Sequence, residues 1–273
     1  MRARLALYRL ALYRRRRMLV GLTIGMFAFE VLIIVIARTI PPQDMFAGSI
    51  RQPPSAFRAF SGSGGAVSLA SFPGLLGAGL VHPFWIAMQL TVVGAFGAAA
   101  VAADVEAGTI ELLMVRPISR ARLLAERTAA LVTGSVVVTT AATAAVAVGV
   151  AATPRLHQAV PLAGVAAAGV LGLGLALCIA GPVLAVSAAG RHRSQVVGAT
   201  IVFGAVGFAV NFVAQAWSTV HLLRYLSPFH YYTPADAMVS GTVPLGSLAV
   251  LLAVFIAGLA AAGWLLARRD LAL

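Results

Sequence analysis

Lysine is absent from this chain: all twenty basic residues are arginine. A phosphate-binding loop of the Gly-x-x-x-x-Gly-Lys type needs its lysine to hold the nucleotide phosphates, so no such loop exists here. Cysteine occurs once, at Cys178 inside an apolar run. That excludes an intrachain disulfide and any cysteine-based metal cluster. The five histidines are scattered without ligand-like spacing, so no metal site is expected. Charge is scarce as well: 10% of residues are charged and only eight are acidic, where soluble domains run near a quarter charged.

What the chain has in abundance is apolar surface. It is 60% hydrophobic over 273 residues, with a mean hydropathy of +0.95. This composition defines an integral membrane protein with a single membrane domain and no large soluble part. A net charge of +12 would point to nucleic acid in a soluble protein. Here the arginines flank apolar runs, where membrane topology accounts for them, and no nucleic-acid partner is expected.

Residues 1–17 are short, basic and partly amphipathic: Leu5, Tyr8 and Leu12 recur at helical spacing before the block Arg14–Arg17. This fits a helix lying on the membrane surface. The following run, 18–37, is too long for a signal-peptide core and lacks a cleavage site, so it reads as the first span. Glu30 interrupts it about 10 Å from the outer end, at 1.5 Å per residue. An ionisable group in hydrocarbon is a functional candidate, and a carboxylic acid held for structural reasons is the competing reading. Residues 38–82 are rich in proline and glycine and read as an outer loop with room for short interfacial helices; Ser68 to Leu80, mildly apolar but broken by Pro73 and several glycines, is a candidate to re-enter the membrane surface. Five further spans follow at about 83–103, 128–152, 160–186, 196–217 and 245–267, so the fold class is all-α with six membrane helices. They are rich in glycine and alanine, which lets helices approach closely. With six spans, fifteen of the twenty arginines fall on one side and five on the other. The asymmetry predicts that both termini are cytoplasmic.

The longest charged interruption is residues 104–124, D-V-E-A-G-T-I-E-L-L-M-V-R-P-I-S-R-A-R-L-L. With Glu126 it holds half of the acids. The spacing of Asp104, Gly108 and Glu111 places them on one face of a helix. Acids early and arginines late suit the helix dipole. Pro117 stops the helix and Ser119 starts the next. So short a helix needs a surface to pack against, and residue chemistry alone leaves a protein partner and the lipid headgroups both open.

The same stretch resembles the cytoplasmic coupling segment of type-2 ABC transporter permeases. Asp104, Glu106, Gly108, Thr109, Glu111, Leu112, Leu113, Pro117, Ser119 and Arg120 fall in register with it, and Arg116 lies within it. Tyr225 to Tyr232 resembles that family's re-entrant segment before the last span, and Arg268 to Leu271 its usual ending. The first outer loop is longer than the family's. The resemblance implies a coupling helix that fits a cleft on a separate ATP-binding subunit, which carries the ATP and Mg; this chain binds no cofactor. It implies a second permease copy, identical or paralogous, a pathway between the two, and a place in the cell membrane, that of a bacterium. The chain itself is then a transport subunit and not an enzyme.

Candidate pathway or gate residues are Glu30, Asn211, Gln215, Pro228, Phe229, His230, Tyr231 and Tyr232. Asn211 and Gln215 share a face of the fifth span. For them, lining the route and bonding between helices are equal readings. The cargo is not legible, and an apolar lining favours a hydrophobic or amphipathic one. An ion-coupled carrier using Glu30 is the alternative, although such carriers show repeated halves and broken helices, and neither is legible in this sequence. An intramembrane enzyme would need acids, histidines or a nucleophile converging at one depth, and Glu30 stands alone at its depth.

Overall fold

The computed structural model describes residues 5–40, 42, 67–110 and 118–269. Among them every regular element is helical: α1 (Ala6–Thr39), α2 (Phe72–Val81), α3 (Pro83–Ala98), α4 (Ala102–Glu106), α5 (Arg120–Ala151), α6 (Pro154–Ala159), α7 (Leu162–Ala189), α8 (Arg193–Ala216), α9 (Pro234–Ser240) and α10 (Leu245–Arg268), with 3-10 turns over Ser218–Leu226 and Pro228–His230. Six stretches are long and apolar enough to cross a membrane: α1, α2 with α3, α5, α7, α8 and α10.

α1 differs from expectation. No break separates a surface helix from the first span: Ala6–Thr39 is one helix of 34 residues. Neither glycine nor proline interrupts it before Gly21, and arginine is a good helix former. At 1.5 Å per residue it is about 50 Å long, well beyond the ~30 Å hydrocarbon layer, so its basic turns extend the span past the membrane core.

The expected outer loop also shortens. Residues 72–81 form α2, because the proline and glycines that suggested a loop occupy places a helix tolerates. Pro73 sits in its first turn, where its missing N–H costs nothing. The Ser71 hydroxyl accepts the Gly74 N–H at 3.2 Å, capping the start. Gly77 allows close approach to Ala235, where a Cβ would come within 2.6 Å of that side chain. α3 begins at Pro83 after a bend at His82, whose Nδ1 accepts the Phe84 N–H at 3.2 Å.

The core lies between α1, α3, α5 and α7, with Met26, Trp85, Val92, Phe96, Leu131 and Leu171 buried. α7 and α10 meet backbone to backbone: a Cβ on Gly258 would overlap the carbonyl carbon of Gly181, and one on Gly181 would stand 2.8 Å from the Phe255 Cα. α8 instead leaves Ile201, Val202, Phe203 and Val206 exposed. Such bare apolar surface suits lipid or another membrane helix.

Candidate functional site

Helix ends leave backbone N–H and carbonyl groups without intrahelical partners. At one end of this bundle those groups are met by side chains from other elements. The Glu126 carboxylate of α5 accepts the N–H of Leu5, Leu7 and Tyr8 at 3.4, 2.9 and 3.2 Å, and so caps the start of α1. It is held in place by Arg122 Nε at 2.8 Å. Ser187 Oγ of α7 accepts the N–H of Val101 and Ala102, both at 3.2 Å, at the start of α4. Arg120 Nη1 donates to the carbonyls of Leu266, Ala267 and Arg269 at 2.9, 2.9 and 2.8 Å, closing α10. Arg269 Nη1 donates to Ala188 and Gly190, both at 2.8 Å, closing α7. A cation at a helix C-terminus also meets the negative end of the helix dipole.

Asp104 and Glu106 of the 104–124 stretch belong to the same network. Asp104 Oδ2 accepts from Arg127 Nη2 at 3.0 Å, and both residues are nearly out of solvent, Asp104 at 9% exposure and Arg127 at 3%. Glu106 Oε2 accepts the Arg193 N–H at 2.7 Å, joining α4 to the first turn of α8. Arg15 of α1 donates through Nε to the Ala95 carbonyl at 3.0 Å and stands over the Phe96 ring. Thus α4 is tied to α5, α7 and α8, while α1 and α10 are tied to α5.

The helical face expected to unite Asp104, Gly108 and Glu111 is not formed between the first two. α4 ends at Glu106. Gly108 takes a left-handed conformation, φ +65°, which glycine adopts without steric cost. The Thr109 N–H bonds back to the Asp104 carbonyl at 2.9 Å and the Gly108 N–H to Val105 at 3.0 Å, the double closure of a Schellman motif. Thr109 Oγ1 adds a bond to Asp104 Oδ1 at 3.3 Å. The chain then turns so that Ile110 is buried with Leu7 and Leu123, with Val105 and Ile118 packed alongside. Glu111, Leu112, Leu113, Arg116 and Pro117 lie outside the described residues. Ser119 does cap α5, accepting the Arg122 N–H at 3.2 Å.

At the opposite end, Tyr232 and Glu30 come near each other. The Tyr232 hydroxyl donates to the Leu80 carbonyl at 3.0 Å, and its ring stacks on Trp85 with centroids 5.5 Å apart. A Cβ on the neighbouring Gly79 would lie 3.4 Å from Glu30 Oε2. Glu30 is fully buried, and neither carboxyl oxygen has a hydrogen-bond partner among the described residues. Phe229 packs the other way, edge-on to Phe208 of α8 at 5.6 Å, and Ser227 Oγ donates to the Gly207 carbonyl at 2.7 Å. Phe229 and Tyr232 are therefore buried anchors for the segment between α8 and α9. Pro228, His230 and Tyr231 are half-buried beside them. Burial, reinforced by Arg224, holds the His230 imidazole below its ordinary pKa. Asn211 is buried, its Oδ1 without a hydrogen-bond partner among the described residues, and Gln215 is half-buried.

Reading the sequence alone missed Glu126 as the cap of α1, and Ser187, Arg193 and Arg15 as tethers. Arg122 and Glu126 stand four apart, the spacing of an intrahelical ion pair. That was the available signal for the first; Ser187 carries none. Glu126→Leu is expected to lower stability by roughly 1–2 kcal/mol, the range for losing a good N-cap. Glu126→Gln, which still accepts hydrogen bonds, should lose less. Thermal unfolding of the detergent-solubilised protein checks both.

An all-helical bundle of six membrane-length helices, with one end laced together by charged side chains, defines a multi-pass membrane protein. The sequence profile described as ABC-2 family transporter protein matches residues 13–271, and the chain belongs to that family as a type-2 ABC permease. No curated protein is similar to it at a significant level. Permeases of this family work in general with ABC ATP-binding subunits.

Proposed function

We propose that this chain is the permease subunit of an ATP-driven exporter, with its arginine-rich end and both termini in the cytoplasm. A separate ATP-binding subunit grips the segment from Asp104 to Arg120. Two permease copies flank the pathway. The observation that carries this reading is the laced end: α4 is bonded to α5, α7 and α8 by Asp104–Arg127, Ser187 and Glu106–Arg193. A push on one short connection therefore reaches several spans together instead of bending a loop. The exposed side chains and backbone at Glu106, Ala107 and Gly108 give a partner something to hold.

The cargo is hydrophobic or amphipathic. Support comes from a cavity of about 480 Å³ near the outer end, lined by Ile179, Phe203, Val206, Tyr225, Tyr231 and Val250 among others. Volumes of this order, mostly apolar with a few polar groups, suit small ligands.

Purification from native membranes in mild detergent, with the mass of everything retained, tests the assembly. The expected result is two permease chains with a stoichiometric ATP-binding subunit; a chain that stays alone even after cross-linking contradicts it. Glu111→Arg should leave the protein in the membrane yet lower export by about tenfold or more, because a reversed charge at a docking surface costs several kcal/mol. Unchanged export and unchanged stimulation of the partner ATPase by that variant would remove Glu111 from the docking surface.

A further inference from the structure

α7 carries a proline in its interior, Pro182, and continues as a helix beyond it to Ala189. Proline has no N–H, so the carbonyl of Cys178, one turn earlier, loses its helical partner, and the proline ring pushes that carbonyl outward. No side-chain donor among the described residues meets it. Cys178 stands well inside a membrane-length helix, where little water is at hand to satisfy a free carbonyl. The freed carbonyl and the proline ring lie on one side of the helix. That side faces the cavity of about 480 Å³ between α7, α8 and α10, whose lining includes both Cys178 and Pro182. The rest of the lining decides what can meet the carbonyl. None of the described residues in it is charged, and Phe203, Val206, Val250 and Val254 are typical of it. Its hydroxyls are already bonded within the protein. Ser227 Oγ donates to the Gly207 carbonyl at 2.7 Å and the Tyr231 hydroxyl to the Tyr225 carbonyl at 3.1 Å, while the Tyr225 hydroxyl accepts from Arg224 Nη2 at 2.9 Å. A molecule without a donor leaves the Cys178 carbonyl unmet, and an ion would shed its hydration without finding a counter-charge.

We propose that this cavity binds an uncharged, mostly apolar molecule through a hydroxyl or amide N–H donated to the Cys178 carbonyl. Pro182 is then the residue that sets specificity, because it keeps that carbonyl open. The proposal rests on the reading of this cavity as the cargo site, and it narrows the cargo to neutral hydrogen-bond donors. Binding itself needs no ATP-binding subunit. It is therefore measured on this chain alone, and a failure of the exporter reading leaves the measurement intact.

The test uses three probes of one shape. Tritiated naphthylmethanol would be bound to the full-length chain in mild detergent. It would then be displaced by unlabelled naphthylmethanol, by its methyl ether, which keeps the oxygen but has no donor, and by naphthylmethylammonium. Wild type should prefer the alcohol over the ether by about tenfold, the effect of meeting an otherwise unmet buried acceptor. The ammonium ion should compete worse than the alcohol by about tenfold or more. Pro182→Ala restores the N–H that closes the helix onto Cys178. Its thermal midpoint should match or exceed that of wild type, since alanine suits a helix interior far better than proline. It should bind the ether as wild type does and lose the preference for the alcohol. Absence of binding to wild type would overturn the proposal, and so would equal competition by the ether or the ammonium ion. A Pro182→Ala chain that keeps the preference would overturn it as well. One that loses alcohol and ether alike would trace the effect to cavity shape instead of the carbonyl, with the same consequence.

Discussion

Asp104→Ala is expected to cost about 3–5 kcal/mol of stability, the penalty for removing one partner of a buried ion pair. The substitution leaves the Arg127 guanidinium, only 3% exposed, without its carboxylate. It also removes the side-chain bond from Thr109 that closes the end of α4. A loss of this size should appear as a strongly reduced yield of monodisperse protein and a lower thermal midpoint. Asp104→Leu combined with Arg127→Leu should recover most of the loss, since apolar residues of similar volume replace a buried pair at little net cost. Export by the double variant should stay low, because α4 is no longer tied to α5 by a directional bond. Recovery of stability and export together would make the pair a packing element with no part in transmitting motion.

The second large effect concerns the α7–α10 contact. Gly258→Val should separate the two helices, because even its Cβ would overlap the Gly181 backbone. Backbone cannot repack as a flexible side chain does. Overpacking of this kind costs about 1–3 kcal/mol and sometimes more, and the high end is expected here. Gly258→Ala should already be destabilising. Gly198→Ala is the control: nothing lies within 4 Å of the Cβ it would add on α8, and alanine favours the helix by up to about 1 kcal/mol. Thermal unfolding of the three variants side by side decides the ranking.

The six spans were legible in the sequence because the bilayer imposes a length on each helix, and apolar runs of that length are hard to mistake. Other features depended on local context that composition conceals. The prolines and glycines of 38–82 read as loop punctuation, yet Pro73 stands in a first helical turn and Gly77 against Ala235. Residues 1–17 read as a separate surface helix, yet α1 runs unbroken from Ala6 to Thr39. Gly108 read as one member of a helical face, while its left-handed φ ends the helix.

The candidate site divides in the same way. Its position between two spans was plain from the charge interruption. Its internal wiring was not, because Glu126 and Leu7 lie 119 residues apart and Ser187 and Val101 86 apart. Tertiary capping of this sort leaves almost no trace in local spacing. Glu30 was legible as an oddity, and the structure deepens it: a buried carboxyl with no hydrogen-bond partner among the described residues, close to the tyrosine that anchors the segment between α8 and α9.

The central claim is that an ATP-binding subunit holds the permease at the connection around α4. A photoreactive residue at Ala107, exposed just beyond the end of α4, tests this directly in native membranes. The account predicts an adduct with the combined mass of this chain and an ATP-binding subunit, and none from the same probe at Leu226, 79% exposed at the opposite end. The same adduct from Leu226 and not from Ala107, or no adduct from Ala107 when the subunit co-purifies, would contradict it.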